Sequence, residues 1–274
     1  MDEGGYRGGL TPALRLTLVG FAGLALIAGL LLFAGAGDTA DWFSWTIEPP
    51  LSAAALGAFY WAAFVLLATG ARAPDWDAAR PIVLPVLVIA VVLLAVTLVH
   101  LDRFDMDSLF GVFWLCAYIA APLLLLYGIA AERRSHTGEA QRSARRLPGG
   151  LRGVLAGEAV VMLAASGLML LAPDTAADMW PWALTPLVSR ALGAFTLGVA
   201  LVGLMVVRED RLVLFSGTAV AYLALGALQL LAVALHGGDL GDDGPANALY
   251  VAFLAAILAT GAYGAIAARA SSRS

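Results

Sequence analysis

Residues 50–59 read PLSAAALGAF and residues 186–195 read PLVSRALGAF. Each decapeptide opens an apolar run long enough to cross a bilayer core of about 30 Å, and the 136-residue interval between them sets a register for the whole chain. Sliding the sequence by that interval lays Asp38-Thr39-Ala40 on Asp174-Thr175-Ala176, Arg72 on Arg208, His100 on His236, Tyr127-Gly128 on Tyr263-Gly264 and Arg133 on Arg269, without a gap. Matches of Leu or Ala are expected in so apolar a chain. Coincident His, Pro and Tyr-Gly are not, and self-similarity at a fixed period marks a duplicated architecture.

The rest of the composition agrees with a membrane-embedded fold. Of 274 residues, 61% are hydrophobic and 13% charged, against about 45–50% and about 25% in soluble domains. Further apolar runs bring the starts to Leu14, Pro50, Pro81, Leu109, Leu151, Pro186, Leu212 and Ala246. The sequence therefore predicts an all-α polytopic membrane protein of eight transmembrane helices, since helices satisfy their own backbone in lipid. Alternating strands are absent, which excludes a barrel. The run from Leu16 to Ala34, followed by Ala34-Gly35-Ala36, resembles a cleaved leader but exceeds an h-region of about 7–15 residues, so it is read as the first span.

The duplication divides the chain into residues 1–134, a first four-helix repeat; residues 135–150, an Arg-rich linker; and residues 151–274, a second repeat. Four spans is an even number, so both repeats enter the membrane in one direction. A pseudo-two-fold axis along the membrane normal is expected. All 16 basic residues are arginine, and all but Arg103 and Arg190 fall in the N-terminal tail, the linker, the C-terminal tail or the loops on their side. By the positive-inside rule both termini face the cytoplasm, in a plasma membrane. The Ala, Gly and Arg usage suggests a bacterial genome.

Each repeat carries a polar yet aromatic segment before its second span: Asp38 to Pro50, with Trp42, Trp45 and Glu48, and Asp174 to Pro186, with Trp180 and Trp182. Trp favours the headgroup level, so the four indoles are read as interfacial anchors, with lids over an axial site as the sharper reading. Gly153 with Gly157, Gly57 with Gly193 and Gly128 with Gly264 mark places where helix backbones could approach.

Few residues could carry chemistry. His100 and His236 each end an outward-running span, with Asp102 and Asp239 close behind, a set suited to a divalent metal or, through the two imidazoles, to haem. The plainer reading is a pair of helix-end histidines. Glu158 lies seven residues into the fifth span, about 10 Å deep at about 1.5 Å per residue, where an acid is costly and a functional candidate by default. Arg190, set against Ala54 in the register, is expected to snorkel or to pair with Glu48, Asp174 or Asp178. Gln229 is among the few other polar groups within the spans.

Enzyme motifs fail on geometry. Ser216 begins the seventh span and His236 ends it, about 30 Å apart at about 1.5 Å per residue, beyond the reach of a nucleophile and its base. The chain has no lysine for a phosphate loop, and the Gly237 to Gly244 loop lacks calcium-loop spacing. Nothing supports nucleic-acid binding. The expected function is non-catalytic: binding or permeation of a small or apolar solute at the interface between repeats. The alternatives are an accessory role with a membrane-protein partner or a second copy, and a metal- or haem-binding redox role for the His pair.

Overall fold

The computed structural model describes residues 9–135 and 146–271. Arg7, Arg142, Arg145 and Arg273 lie outside the described residues, as do the side chains of Ser216 and Arg269. Eight helices are long and apolar enough to cross a membrane: α1 (Pro12–Ala34), α3 (Pro50–Ala71), α4 (Trp76–Val99), α5 (Leu109–Ser135), α6 (Gly149–Leu171), α8 (Pro186–Glu209), α9 (Leu212–Leu235) and α10 (Gly244–Ser271). Two short helices, α2 (Thr39–Trp42) and α7 (Pro173–Met179), lie in the segments before α3 and α8. This all-helical architecture is that of an integral membrane protein.

Local chemistry starts and stops these helices. Pro12, Pro50 and Pro186 occupy first-turn positions, where the missing N–H has no intrahelical partner to lose. Thr11, Asp75 and Thr185 accept the N–H groups of Leu14, Ala78 and Val188, the usual N-cap bond. α8 ends on Asp210, whose φ of 51° is left-handed, a conformation Asp tolerates. That turn reverses the chain directly into α9. α4 and α9 end alike: the His100 N–H bonds to Val96 O and the His236 N–H to Ala232 O, and each histidine leads into a single 3-10 turn.

α3 and α8 form the centre. α1 lies along α3 and α6 along α8, while α3 packs on α9 and α4 on α8, joining the two halves of the chain. Glycine sets the closest approaches. A Cβ on Gly57 would stand 2.7 Å from Phe33 N, and one on Gly193 2.8 Å from Met169 Cβ, so these two seams admit no side chain. Gly153 and Gly157, by contrast, have nothing within 4 Å of a Cβ. The expected close contact does not form there because that stripe of α6 faces away from the bundle. Gly128 meets Leu14 of α1, whereas Gly264 meets Phe215 of α9; α5 packs on both α4 and α1, and α10 mainly on α9.

The loops gather by composition at the two ends. At one end Arg80 pairs with Glu209, Arg152 lies 3.6 Å from Asp210, and Glu132 accepts the Thr11 N–H. At the other, here the lid end, the Asp105 N–H bonds to Ser44 O and the Gly241 N–H to Pro181 O, each 2.9 Å or shorter.

Candidate functional site

The lid end is built on aromatic packing. Trp45 lies between Phe43, Phe104 and Trp114, with centroids 4.6–5.2 Å apart, and Trp182 lies against Trp180 and Tyr250 at 5.2–5.3 Å. Trp182 is 2% exposed and Trp45 7%. These two indoles are therefore inward-facing plugs and not headgroup anchors, because the lid segments fold down onto the helix ends. Trp42 and Trp180 remain partly exposed. Trp182 also donates its indole N–H to Ser52 Oγ at 2.9 Å, fastening the second segment over the start of α3.

Three of the proposed ligands of a metal or haem hold other partners. His100 Nε2 receives Arg190 Nη1 at 2.7 Å, and Arg190 also donates from Nε to Leu170 O at 3.2 Å. Arg190 thus neither snorkels nor meets Glu48, Asp174 or Asp178. Burial, and then the adjacent guanidinium, push the His100 imidazole below its ordinary pKa, and Asp102 opposes them. Asp102 faces Arg103 at 3.3 Å. Asp239 accepts the Leu51 N–H at 2.8 Å, capping α3 where Pro49 and Pro50 leave no cap of their own. Among the described residues no three His, Cys, Asp or Glu side chains stand together as a metal would require.

The remaining polar candidates are separate from one another. Glu158 is 6% exposed, and its Oε1 accepts from Thr260 Oγ1 on α10 at 2.6 Å while Oε2 has no partner. Gln229 donates to Ala55 O at 3.1 Å and accepts from Tyr250 at 3.3 Å, joining α9, α3 and α10. Glu48 is exposed on the rim of a shallow cleft between the two lid segments, opposite Ala183, Leu184 and Thr185.

A second concavity, smaller than that cleft but far more apolar, is one that sequence reading missed. α1, α3, α4 and α5 enclose a cavity of about 220 Å³ whose wall is almost wholly apolar, from Phe21 and Leu67 at its inner end to Trp42, Phe43 and Phe110 beneath the lid. Phe195, stacked on Phe59 at 5.5 Å, is the second half's contribution. Tyr60, Tyr118 and Ser44 also line it; the two phenols bond to each other at 2.5 Å, one donating and the other accepting, and Ser44 Oγ donates to Phe110 O. The α1 wall runs from Phe21 to Leu31, about 15 Å at about 1.5 Å per residue. Ile27 on α1 and Phe110 and Phe113 on α5 are wall residues and are also more than half exposed on the outside of the bundle, so the cavity communicates with the surroundings between those helices.

The two halves differ at this place. On α9 and α10, Gly226 and Gly261 let the backbones meet: their Cβ positions would fall 2.7 Å from Leu258 N and 2.4 Å from Leu223 N. One register earlier stand Ala90 and Leu125. Side chains stand at both places, and α5 packs on α4 and also on α1, the latter through Gly128 and Leu14. Phe21 borders the cavity; Glu158, 137 residues later, makes the hydrogen bond to α10. The signal available in sequence was the aromatic density of α3 and α5, in Phe59, Tyr60, Phe110, Phe113, Trp114 and Tyr118. The chain matches no protein-family model, no curated protein and no solved structure.

Proposed function

We propose that this is a non-catalytic integral membrane protein that takes up an apolar molecule from the lipid phase in the cavity enclosed by α1, α3, α4 and α5. The observation that carries the reading is the wall itself: an almost wholly aromatic and aliphatic surface whose few hydroxyls are engaged within the protein, Tyr60 with Tyr118 and Ser44 with Phe110 O. A polar solute entering it would give up its water without replacement bonds, at a cost of a few kcal/mol per group (about 2–7). A hydrocarbon loses nothing, and the gap between α1 and α5 opens toward the acyl chains. The site lies inside the first half and touches the interface between halves only through Phe195.

The same proposal includes two four-helix repeats related by an axis along the membrane normal, with both termini cytoplasmic and the lid end outside. Supporting it are the matched Gly57 and Gly193 seams and the matched His100 and His236 helix ends. The reciprocal packing of α3 on α9 and α4 on α8 supports it too. The test is binding of diphenylhexatriene, a neutral hydrocarbon probe, followed by energy transfer from Trp42 and Trp114 on the wall. Saturable transfer that disappears in Ala117→Phe, with the variant still monodisperse in detergent, is expected. Identical transfer in the filled variant overturns the reading.

A further inference from the structure

The depth of the cavity and the place of its opening identify what fills it. α1 ends at Ala34, and its wall residues, Phe21 to Leu31, lie about 5–20 Å below that end at about 1.5 Å per residue. α5 begins at Leu109, and its wall residues, Phe110 to Ala121, lie within about 18 Å of the same level. One leaflet of the hydrocarbon core is about 15 Å deep, so the cavity occupies mostly the lid-side leaflet. Trp42 and Phe43 close it above, the Phe43 and Trp114 rings meeting edge to face at 4.8 Å.

Entry is from the side. Away from the lid the seam between α1 and α5 is shut: a Cβ on Gly128 would stand 3.0 Å from Leu14 Cδ1, and Leu14, Leu18 and Leu125 are fully buried. Toward the lid, Leu24, Ile27 and Leu31 on α1 and Phe110 and Phe113 on α5 are wall residues that are also 38–57% exposed. They border a slot that follows the helices for about 10 Å, the rise from Leu24 to Leu31. A slot of this form admits a flexible chain lying along the membrane normal. Acyl chains are moreover the solvent at its mouth. A void forfeits the dispersion contacts of its lining, so a chain that swings in gains contacts without leaving an apolar medium. We infer that the occupant is one acyl chain of a lid-side lipid, inserted sideways between α1 and α5, with its methyl end at Phe21 and Ala121 and its headgroup outside the lid. This rests on the reading that the cavity takes an apolar molecule.

The experiment uses the intact protein in phosphatidylcholine vesicles doped with the same lipid carrying a diazirine near the carbonyl or near the methyl end of one chain. After irradiation, insertion is mapped by peptide mass spectrometry. The carbonyl-end reagent is expected to label Phe43 and Trp114, and the methyl-end reagent Ala63 and Leu67, wall residues of α3 that lie behind α1 and α5. In Ala117→Phe the α3 labels should fall at least about tenfold, the ratio that corresponds to about 1.4 kcal/mol, while insertion at the outward-facing Leu123 stays constant. Labels confined to outward residues, a reversed order of depths, or α3 labels undiminished in Ala117→Phe overturn the acyl-chain assignment. Saturable diphenylhexatriene transfer in the same protein then leaves the cavity reading intact, whereas transfer that Ala117→Phe does not reduce overturns the cavity reading itself.

Discussion

At the scale of single residues, the bond between Arg190 and His100 shows how one unmatched side chain organises a helix end. Ala54 occupies the place of Arg190 one register earlier, and His100 is the helix-end histidine that acquires a guanidinium partner. That bond requires an unprotonated Nε2, and the environment enforces it: burial and the neighbouring positive charge both lower the affinity of His100 for a proton. The unfolded chain therefore binds more protons than the fold as pH drops below the ordinary imidazole value of about 6.5, and stability must fall with pH from there down through the lower folded value. Thermal unfolding in detergent should lose midpoint between pH 7 and about pH 5, above the range where ordinary carboxylates titrate. His100→Gln retains an acceptor for Arg190 and does not titrate, so its midpoint should fall less over the same interval. An equal fall in both proteins would assign the effect elsewhere.

At the scale of helices, the seams decide what can be replaced. Leu at position 57 or 193 needs space that Phe33 and Gly29, or Met169 and Ser166, already fill. Each substitution should destabilise by about 1–3 kcal/mol, the cost of overpacking. Gly153→Leu faces open surroundings and should stay within about 0.5 kcal/mol of the parent, as read from denaturant unfolding in mixed micelles. This contrast also marks how far the sequence could be read. Eight spans were legible because apolar length is a property of the chain alone, and Gly57 and Gly193 were legible because they recur in one register. Gly153 and Gly157 were misleading: small residues permit approach, but which stripe of a helix faces a neighbour is settled by packing elsewhere. The partner of Arg190 was hidden for a related reason, since it lies 90 residues away on a helix that touches α8 only once the halves have met.

At the scale of the molecule, the two halves differ: α10 closes on α9 in the second, while the first holds the apolar cavity. Gly226 and Gly261 close α10 onto α9, and the bond from Thr260 to Glu158 ties α10 to α6; the first half, with Ala90 and Leu125 at the corresponding places, keeps its cavity. The second half also braces the first. Asp239 caps α3, Trp182 holds Ser52, Gln229 holds Ala55 O, Arg190 holds His100 and Glu209 holds Arg80, and every one of these bonds crosses from one half to the other. A four-helix unit that holds a cavity lacks part of its core, so its shape must depend on such braces more than on the covalent linker. Residues 1–140 and 141–274, expressed together as separate chains, should then copurify at equal stoichiometry and bind the neutral probe as the intact chain does. Each crossing hydrogen bond contributes about 1 kcal/mol, so removing three together, through Asp239→Ala, Trp182→Phe and Gln229→Leu, should separate the fragments and abolish probe binding. Fragments that bind the probe equally well with the three braces removed would show that the first half keeps its cavity unaided.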